Sequence, residues 1–227
     1  MPDAAHWGIR KTAKSPSFSA LLGVGAAAAV SHTAEAGAFS GMTLIAGRLG
    51  ADAVAAYQIL LNVLAVVFMI SLGISSATAV LTSAAIGKGS PRDASRASFG
   101  GLGMNGAFML LVALLVYGCS SAIGRAYTAN LSLAAFVAGA LGLTAVIMLP
   151  DGGQVVAAAA LRARGDNWFP TASHLLAYAF VMPVVAYWLA EAQGRGVQGL
   201  MLAILVASVL SCGVLSARLW WFRRSQS

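Results

Sequence analysis

Residues 53–87 read AVAAYQILLNVLAVVFMISLGISSATAVLTSAAIG, a run of more than 30 residues without one charged side chain. A membrane-spanning α-helix needs about 20 consecutive apolar residues, so this run can cross a bilayer with some tilt. The rest of the chain is similar, since 59% of its 227 residues are hydrophobic and only 9% are charged. In a typical soluble domain roughly a quarter of the residues are charged. The composition therefore predicts a helical protein that crosses the membrane several times.

Five further apolar runs accompany this one, and short segments with Gly, Pro and charged residues separate all six. The six runs cover about residues 18–47, 53–87, 99–123, 131–161, 169–190 and 197–219. None of the gaps is long enough to hold a soluble domain. We therefore predict an all-α membrane protein with six transmembrane helices over residues 18–222, a tail of residues 1–17 and a tail of residues 223–227.

Positive charge is distributed unequally between the two ends of these helices. With the N-terminus in the cytoplasm, 11 of the 14 Lys and Arg residues lie on the cytoplasmic side and 3 lie on the outer side. Cytoplasmic segments of membrane proteins carry an excess of Lys and Arg. The bias predicts that both termini are cytoplasmic. Because the basic residues are dispersed over helix ends, the net charge of +7 does not indicate a nucleic-acid partner.

Two acidic residues lie inside apolar runs, Glu35 in the first and Asp151 in the fourth. The other acids and all Lys and Arg residues lie in tails, gaps or helix ends, so neither acid has a basic partner at its own depth. A charge in the bilayer core costs several kcal/mol, and an ionisable residue there usually marks a functional site. At 1.5 Å per residue, Glu35 lies about 20 Å from the outer edge and Asp151 about 16 Å from the inner edge. In a core of roughly 30 Å the two levels agree to about 6 Å, which predicts one shared cavity near the midplane.

Several polar residues are candidates to line that cavity. In chain order they are His32, Tyr57, Gln58, Asn62 and Gln154. The first precedes Glu35 by three residues and the last follows Asp151 by three, which places each on the same helix face as its acid. All of these side chains, and the two acids in protonated form, could instead make structural hydrogen bonds between helices. No Gly-x-Ser-x-Gly or His-Glu-x-x-His motif occurs, so we predict no enzyme, no catalytic residue and no cofactor.

Seven short stretches follow one another along the chain. They are EAGAF at 35–39, LGA at 49–51, AAYQI at 55–59, GISSA at 73–77, AIGKG at 85–89, DGGQVV at 151–156 and ALR at 160–162. In this order and spacing they resemble the second half of the multidrug and toxic compound extrusion (MATE) transporters. Each stretch alone is a weak signal, whereas the series covers roughly residues 18–222.

This resemblance implies the C-terminal lobe of a fold in which two six-helix lobes rock to give alternating access. Members of the family exchange protons or sodium for cationic, amphipathic drugs. In the bacterial branch, acids in the Glu-x-x-x-Phe and Asp-Gly-x-Gln segments are implicated in cation coupling, and they correspond to Glu35 and Asp151 here. We therefore expect a half-length antiporter of the bacterial inner membrane, in which these two acids take up a proton or, if the protein is sodium-coupled, bind the metal ion.

The length of the chain leaves an alternative open. A drug path between two lobes needs a second six-helix lobe, supplied by a separate chain or by a second copy of this one. The expected partners are that lobe, membrane lipid and a small cationic or amphipathic substrate. The alternative is a non-transporting fragment, relic or assembly subunit whose acids are only structural.

Overall fold

The computed structural model describes residues 18–224, and within this range the chain forms helices joined by short turns, without a strand. This confirms the predicted all-α class. The helices are α1 Phe18–Arg48, α2 Ala51–Gly87, α3 Pro91–Gly118, α4 Ser120–Tyr127, α5 Leu131–Ala163, α6 Trp168–Ala192 and α7 Gly196–Arg224. The predicted tail of residues 1–17 and the end of the second tail, residues 225–227, lie outside the described residues.

Each of the six predicted runs corresponds to a long helix. Five of the described helices, α2, α3, α5, α6 and α7, are long and apolar enough to cross a membrane. Helix α1 has 31 residues, but Ser31, His32 and Glu35 lower the hydropathy of its middle. It packs against α2 and α6 in the same bundle, so it belongs to the same lobe.

The third helix begins at Pro91 and not at about residue 99, as the apolar run predicted. Ser90 caps it, because its side chain accepts a hydrogen bond from the Asp93 backbone N–H, and proline in the first helical turn has no N–H that needs a partner. At its other end α3 stops at Gly118, and the separate helix α4 occupies part of the gap predicted at 125–130. Helix α3 thus extends beyond the predicted apolar run at its N-terminal end and stops short of it at its C-terminal end.

Helix α5 lies at the centre of the lobe. It packs against α2, α3 and α7, and every residue over 151–158 is buried. Two glycines permit this close packing: a Cβ on Gly152 would lie 2.9 Å from Asn105 of α3, and one on Gly153 would lie 2.9 Å from Cys212 of α7. Small residues let membrane helices approach closely in this way.

Helix α6 is irregular on both sides of Pro183. Leu175–Val181 and Tyr187–Ala192 are π-helical, and the regular segment Met182–Ala186 lies between them. The Met182 N–H bonds the carbonyl five residues back, which is the π-helical pattern. Proline has no N–H and cannot continue the α-helical pattern, which accounts for the widening around it. The first π-helical segment carries Tyr178, a residue of the site described next.

Candidate functional site

A cavity of about 420 Å³ lies between α1, α2 and α5. Its wall consists of His32, Glu35, Ala36, Phe39, Leu61, Leu64, Ala65, Phe68 and Asp151. The structure thus places both intramembrane acids at one cavity. Apart from the two acids and the histidine, the wall is apolar and partly aromatic.

Asp151 is held by hydroxyl groups from two neighbouring helices. Only 4% of the residue is exposed. Its Oδ1 accepts hydrogen bonds from Tyr178 of α6 at 3.2 Å and from Ser208 of α7 at 3.0 Å, and the two hydroxyls are 3.1 Å apart. A hydroxyl can donate to a carboxylate or accept from a protonated carboxyl. This environment can therefore accommodate Asp151 in either protonation state.

Gln154 connects the second acid to the same network. Its Nε2 donates a long hydrogen bond of 3.4 Å to Oε1 of Glu35, and its own Oε1 accepts one of 3.0 Å from Ser211. Asp151 and Gln154 are one turn apart on α5, and their partners Ser208 and Ser211 are one turn apart on α7. The two helices therefore run in the same direction with their polar groups in register.

Helices α1 and α6 are joined by buried polar contacts. The Thr171 hydroxyl donates to the carbonyl of Ala27 at 2.8 Å, and Ser31 forms a hydrogen bond with Nδ1 of His174. The His174 ring also meets the Tyr178 ring edge-on, with centroids 6.0 Å apart. The order of these contacts shows that α1 and α6 run in the same direction.

Three of the predicted candidates lie away from this cavity. Tyr57 is buried, and its hydroxyl has no hydrogen-bond partner among residues 18–224. Gln58 and Asn62 are exposed: the first donates to Thr43 at 3.1 Å, and the second accepts from Tyr127 at 2.6 Å. The wall contributed by α2 is apolar instead. The structure brings His32 and Gln154 to the acids, but not these three.

The sequence did not single out Tyr178, Ser208 or Ser211. Serines are common in membrane helices, where many bond their own backbone, so a lone serine carries little signal. The one available signal was spacing, because the two serines have the same one-turn separation as the two polar residues that they contact. Nothing in the sequence marked the tyrosine.

The sequence and the fold of this helical lobe have counterparts among known proteins. The protein-family model MatE matches residues 27–188 of this chain. The chain belongs to the MatE family. Among its relatives, the probable multidrug resistance protein NorM of Caulobacter vibrioides is 43% identical over 195 residues, which cover 86% of this chain and 41% of that protein. The multidrug resistance protein NorM of Burkholderia vietnamiensis is 36% identical over 219 residues, which cover 94% of this chain and 47% of that protein.

Solved structures agree with this MatE assignment at the level of the fold. A crystal structure of MATE in the bent conformation superposes with a TM-score of 0.84 at 16% identity, covering 94% of this chain and 49% of that one. The eukaryotic MATE transporter AtDTX14 superposes with a TM-score of 0.81 at 18% identity, covering 89% and 47%. This MatE chain thus spans about half the length of the relatives it matches. The predicted resemblance and the six-helix lobe are confirmed, and the family consists of transporters rather than enzymes.

Proposed function

We propose that the chain is one lobe of a multidrug antiporter, which exports cationic, amphipathic compounds in exchange for protons or sodium. The observation that carries this proposal is the shared cavity of Glu35 and Asp151. Its aromatic residues, Phe39 and Phe68, offer apolar surface to the body of such a compound, and the carboxylates attract its positive charge. The NorM relatives are named multidrug resistance proteins, which supports drugs as the substrates.

Ion transport and drug transport are coupled if the two acids bind the drug and the ion alternately. A carboxyl group that holds a proton no longer attracts a cationic drug, so uptake of one favours release of the other. For sodium, the Asp151 carboxylate and the hydroxyl oxygens of Tyr178 and Ser208 form a cluster of oxygen ligands. His32 contributes to the polar part of the wall and Gln154 bonds Glu35, whereas roles for Tyr57, Gln58 and Asn62 remain predictions from the sequence.

The proposal includes a second six-helix lobe, from a separate chain or a second copy, because the chain spans about half of its relatives. It also places both termini in the cytoplasm, on the basis of the charge bias, and the lobe in a bacterial inner membrane, on the basis of the family resemblance. The alternative is a non-transporting fragment or assembly subunit. Cysteine accessibility separates the two, since thiols beside Glu35 and Asp151 react with water-soluble reagents in a hydrated cavity and not in a lipid-packed core.

The decisive variants are Asp151→Asn and Glu35→Gln, assembled with a complementary lobe. Each amide matches the shape of its acid but cannot ionise, so we expect the fold to persist and ion-driven drug efflux to fall to background. Asp52→Asn, at an exposed acid in the first turn of α2, is the matched control and should transport normally. Wild-type efflux by both cavity variants, measured with a fluorescent cationic drug in vesicles, would refute the assignment.

A further inference from the structure

Arg162 presents an unused hydrogen-bonding edge near the C-terminal end of α5. Its Nε and Nη2 atoms are buried, and neither has a hydrogen-bond partner among the residues that the structure describes. These two N–H groups form an edge of the guanidinium that can bind a carboxylate or phosphate through two parallel bonds. Because arginine keeps its charge in proteins, a buried edge of this kind calls for an anion.

His174 supplies a further unpartnered nitrogen close by. Ser31 bonds its Nδ1, and when the serine hydroxyl is the donor, the ring proton lies on Nε2. This Nε2 is buried and has no partner within residues 18–224. The imidazole and the Arg162 guanidinium are close enough to interact electrostatically. We refer to the three N–H groups of Arg162 and His174 as the anion slot.

Glu35 is placed to reach the anion slot. It lies one turn after Ser31, the partner of His174, and its charge and that of Arg162 attract each other through space. Helices α1 and α5 run in opposite directions, because α6 is parallel to α1 and follows α5 after a short turn. Side chains lean toward the N-terminus of their own helix, so Glu35 and Arg162 lean toward each other. Among the described residues no ion pair joins Glu35 to a basic side chain in this conformation, so the expectation that Glu35 lacks a basic partner at its depth stays a prediction.

We propose that the anion slot receives the Glu35 carboxylate once Glu35 has lost its proton or bound cation. In the conformation described here, Glu35 has only the long bond from the neutral amide of Gln154. Movement to the slot replaces that bond with shorter, charge-assisted bonds from Arg162 and His174. These two are then positioning residues, which stabilise the ion-free acid and withdraw it from the cavity.

The remaining titratable groups around Glu35 favour the same movement. Within residues 18–224 they are His32 on α1, Asp151 on α5 and Tyr178 on α6, whereas the cavity wall from α2 is apolar. An ionised Asp151 repels the Glu35 carboxylate across the cavity, which favours its displacement toward the positive charge of Arg162. The inference rests on the proposed function only in treating Glu35 as a coupling acid.

A double-mutant cycle tests the pairing without any transport assay. The full chain, with any partner that it retains, is purified in detergent as wild type, Arg162→Gln, Glu35→Gln and the double variant. Thermal unfolding is then followed at about pH 3 and about pH 9, on either side of the range in which most carboxyl groups titrate. We expect Arg162→Gln to lower the melting temperature at the higher pH by about 3–6 °C, because a carboxylate is left without its partner. The loss should be smaller at the lower pH and should vanish in the Glu35→Gln background.

Two further variants sharpen the result. Arg162→Lys keeps the charge without the two-pronged edge and should restore part of the lost stability. Arg164→Gln is the matched control, because Arg164 lies two residues away but donates to Ser98 at 3.1 Å; its effect should not depend on pH or on Glu35. If the Arg162 variants fail to fold, a cross-linking experiment replaces them. Glu35→Cys and Arg162→Cys are combined in a background without Cys119 and Cys212, and a short thiol reagent tests whether the two side chains can approach each other.

Equal losses at both pH values, or a loss that persists in Glu35→Gln, would overturn the pairing. A loss that persists there and depends on added phosphate or anionic lipid would mean that the anion slot holds a different anion. These outcomes are distinct from failure of the proposed function. Normal transport by Asp151→Asn and Glu35→Gln would reject ion coupling by these acids and leave the measured pairing unaffected.

Discussion

At the scale of single residues, the side-chain amide of Gln154 decides how Glu35 is held. It is the hydrogen-bonding partner that the described structure gives the Glu35 carboxyl, and it is itself fixed by Ser211. Gln154→Leu should therefore lower the rate of ion-driven transport by about tenfold, since a hydrogen bond to a charged group contributes roughly 1.5–3 kcal/mol. The readout is the initial rate of drug efflux by the lobe assembled with its complement.

Gln58→Leu is the matched control for this prediction, because Gln58 bonds Thr43 and is exposed. Its efflux rate should stay within about twofold of wild type, as surface substitutions usually have small effects. If Gln58→Leu lowered the efflux rate more than Gln154→Leu, Gln58 would belong to the transport path, as the sequence analysis predicted.

The sequence located Glu35 and Asp151 because a lone acid in an apolar run is costly and therefore conspicuous. It could not locate their hydroxyl partners, since a serine in a membrane helix costs little whether or not it contacts another helix. It also did not indicate that Arg162 and Glu35 interact electrostatically. Arg162 occurs at the end of an apolar run, where a long basic side chain usually extends toward water. Sequence position gives the level of a Cα atom, but not the direction in which a long side chain extends.

At the scale of helices, Gly199 sets the closest backbone approach between α6 and α7. A Cβ there would lie 2.6 Å from the backbone nitrogen of Ala190, and backbone atoms cannot rotate away as a side chain can. Gly199→Ala should therefore separate the two helices and cost about 1–3 kcal/mol of stability. Gly213→Ala on the same helix is the control, since nothing lies within 4 Å of its added Cβ. Melting temperatures of the detergent-solubilised variants compare the two, and equal values would contradict this close contact.

The number and order of the six long helices were predictable from the apolar runs, whereas the short helix α4, the helix ends and the helix type were not. Hydropathy reports the part of a helix that lies in hydrocarbon, and α3 continues past it into the polar region, where Ser90 and Pro91 supply the start signal. The π-helical segments of α6 arise from a proline whose effect depends on how neighbouring helices satisfy the freed backbone groups. A tertiary effect of this kind leaves no local pattern in the sequence.

At the scale of the whole molecule, the cavity has walls from three helices of one lobe, and Glu35 and His32 are only partly covered. Polar and ionisable groups that face hydrocarbon cost several kcal/mol. A second lobe over the cavity would remove this cost, in agreement with relatives of about twice the length.

The isolated chain should therefore pair, misfold or be degraded, and it should not act as a monomeric transporter. The test is reconstitution of the purified chain at high lipid dilution, so that each vesicle holds at most one copy, with copy number verified by stepwise photobleaching. We expect ion-driven drug uptake only in vesicles with two copies or with an added complementary lobe. Uptake at the same rate in vesicles with a single verified copy would show that six helices suffice, because no second lobe is present there to complete the cavity.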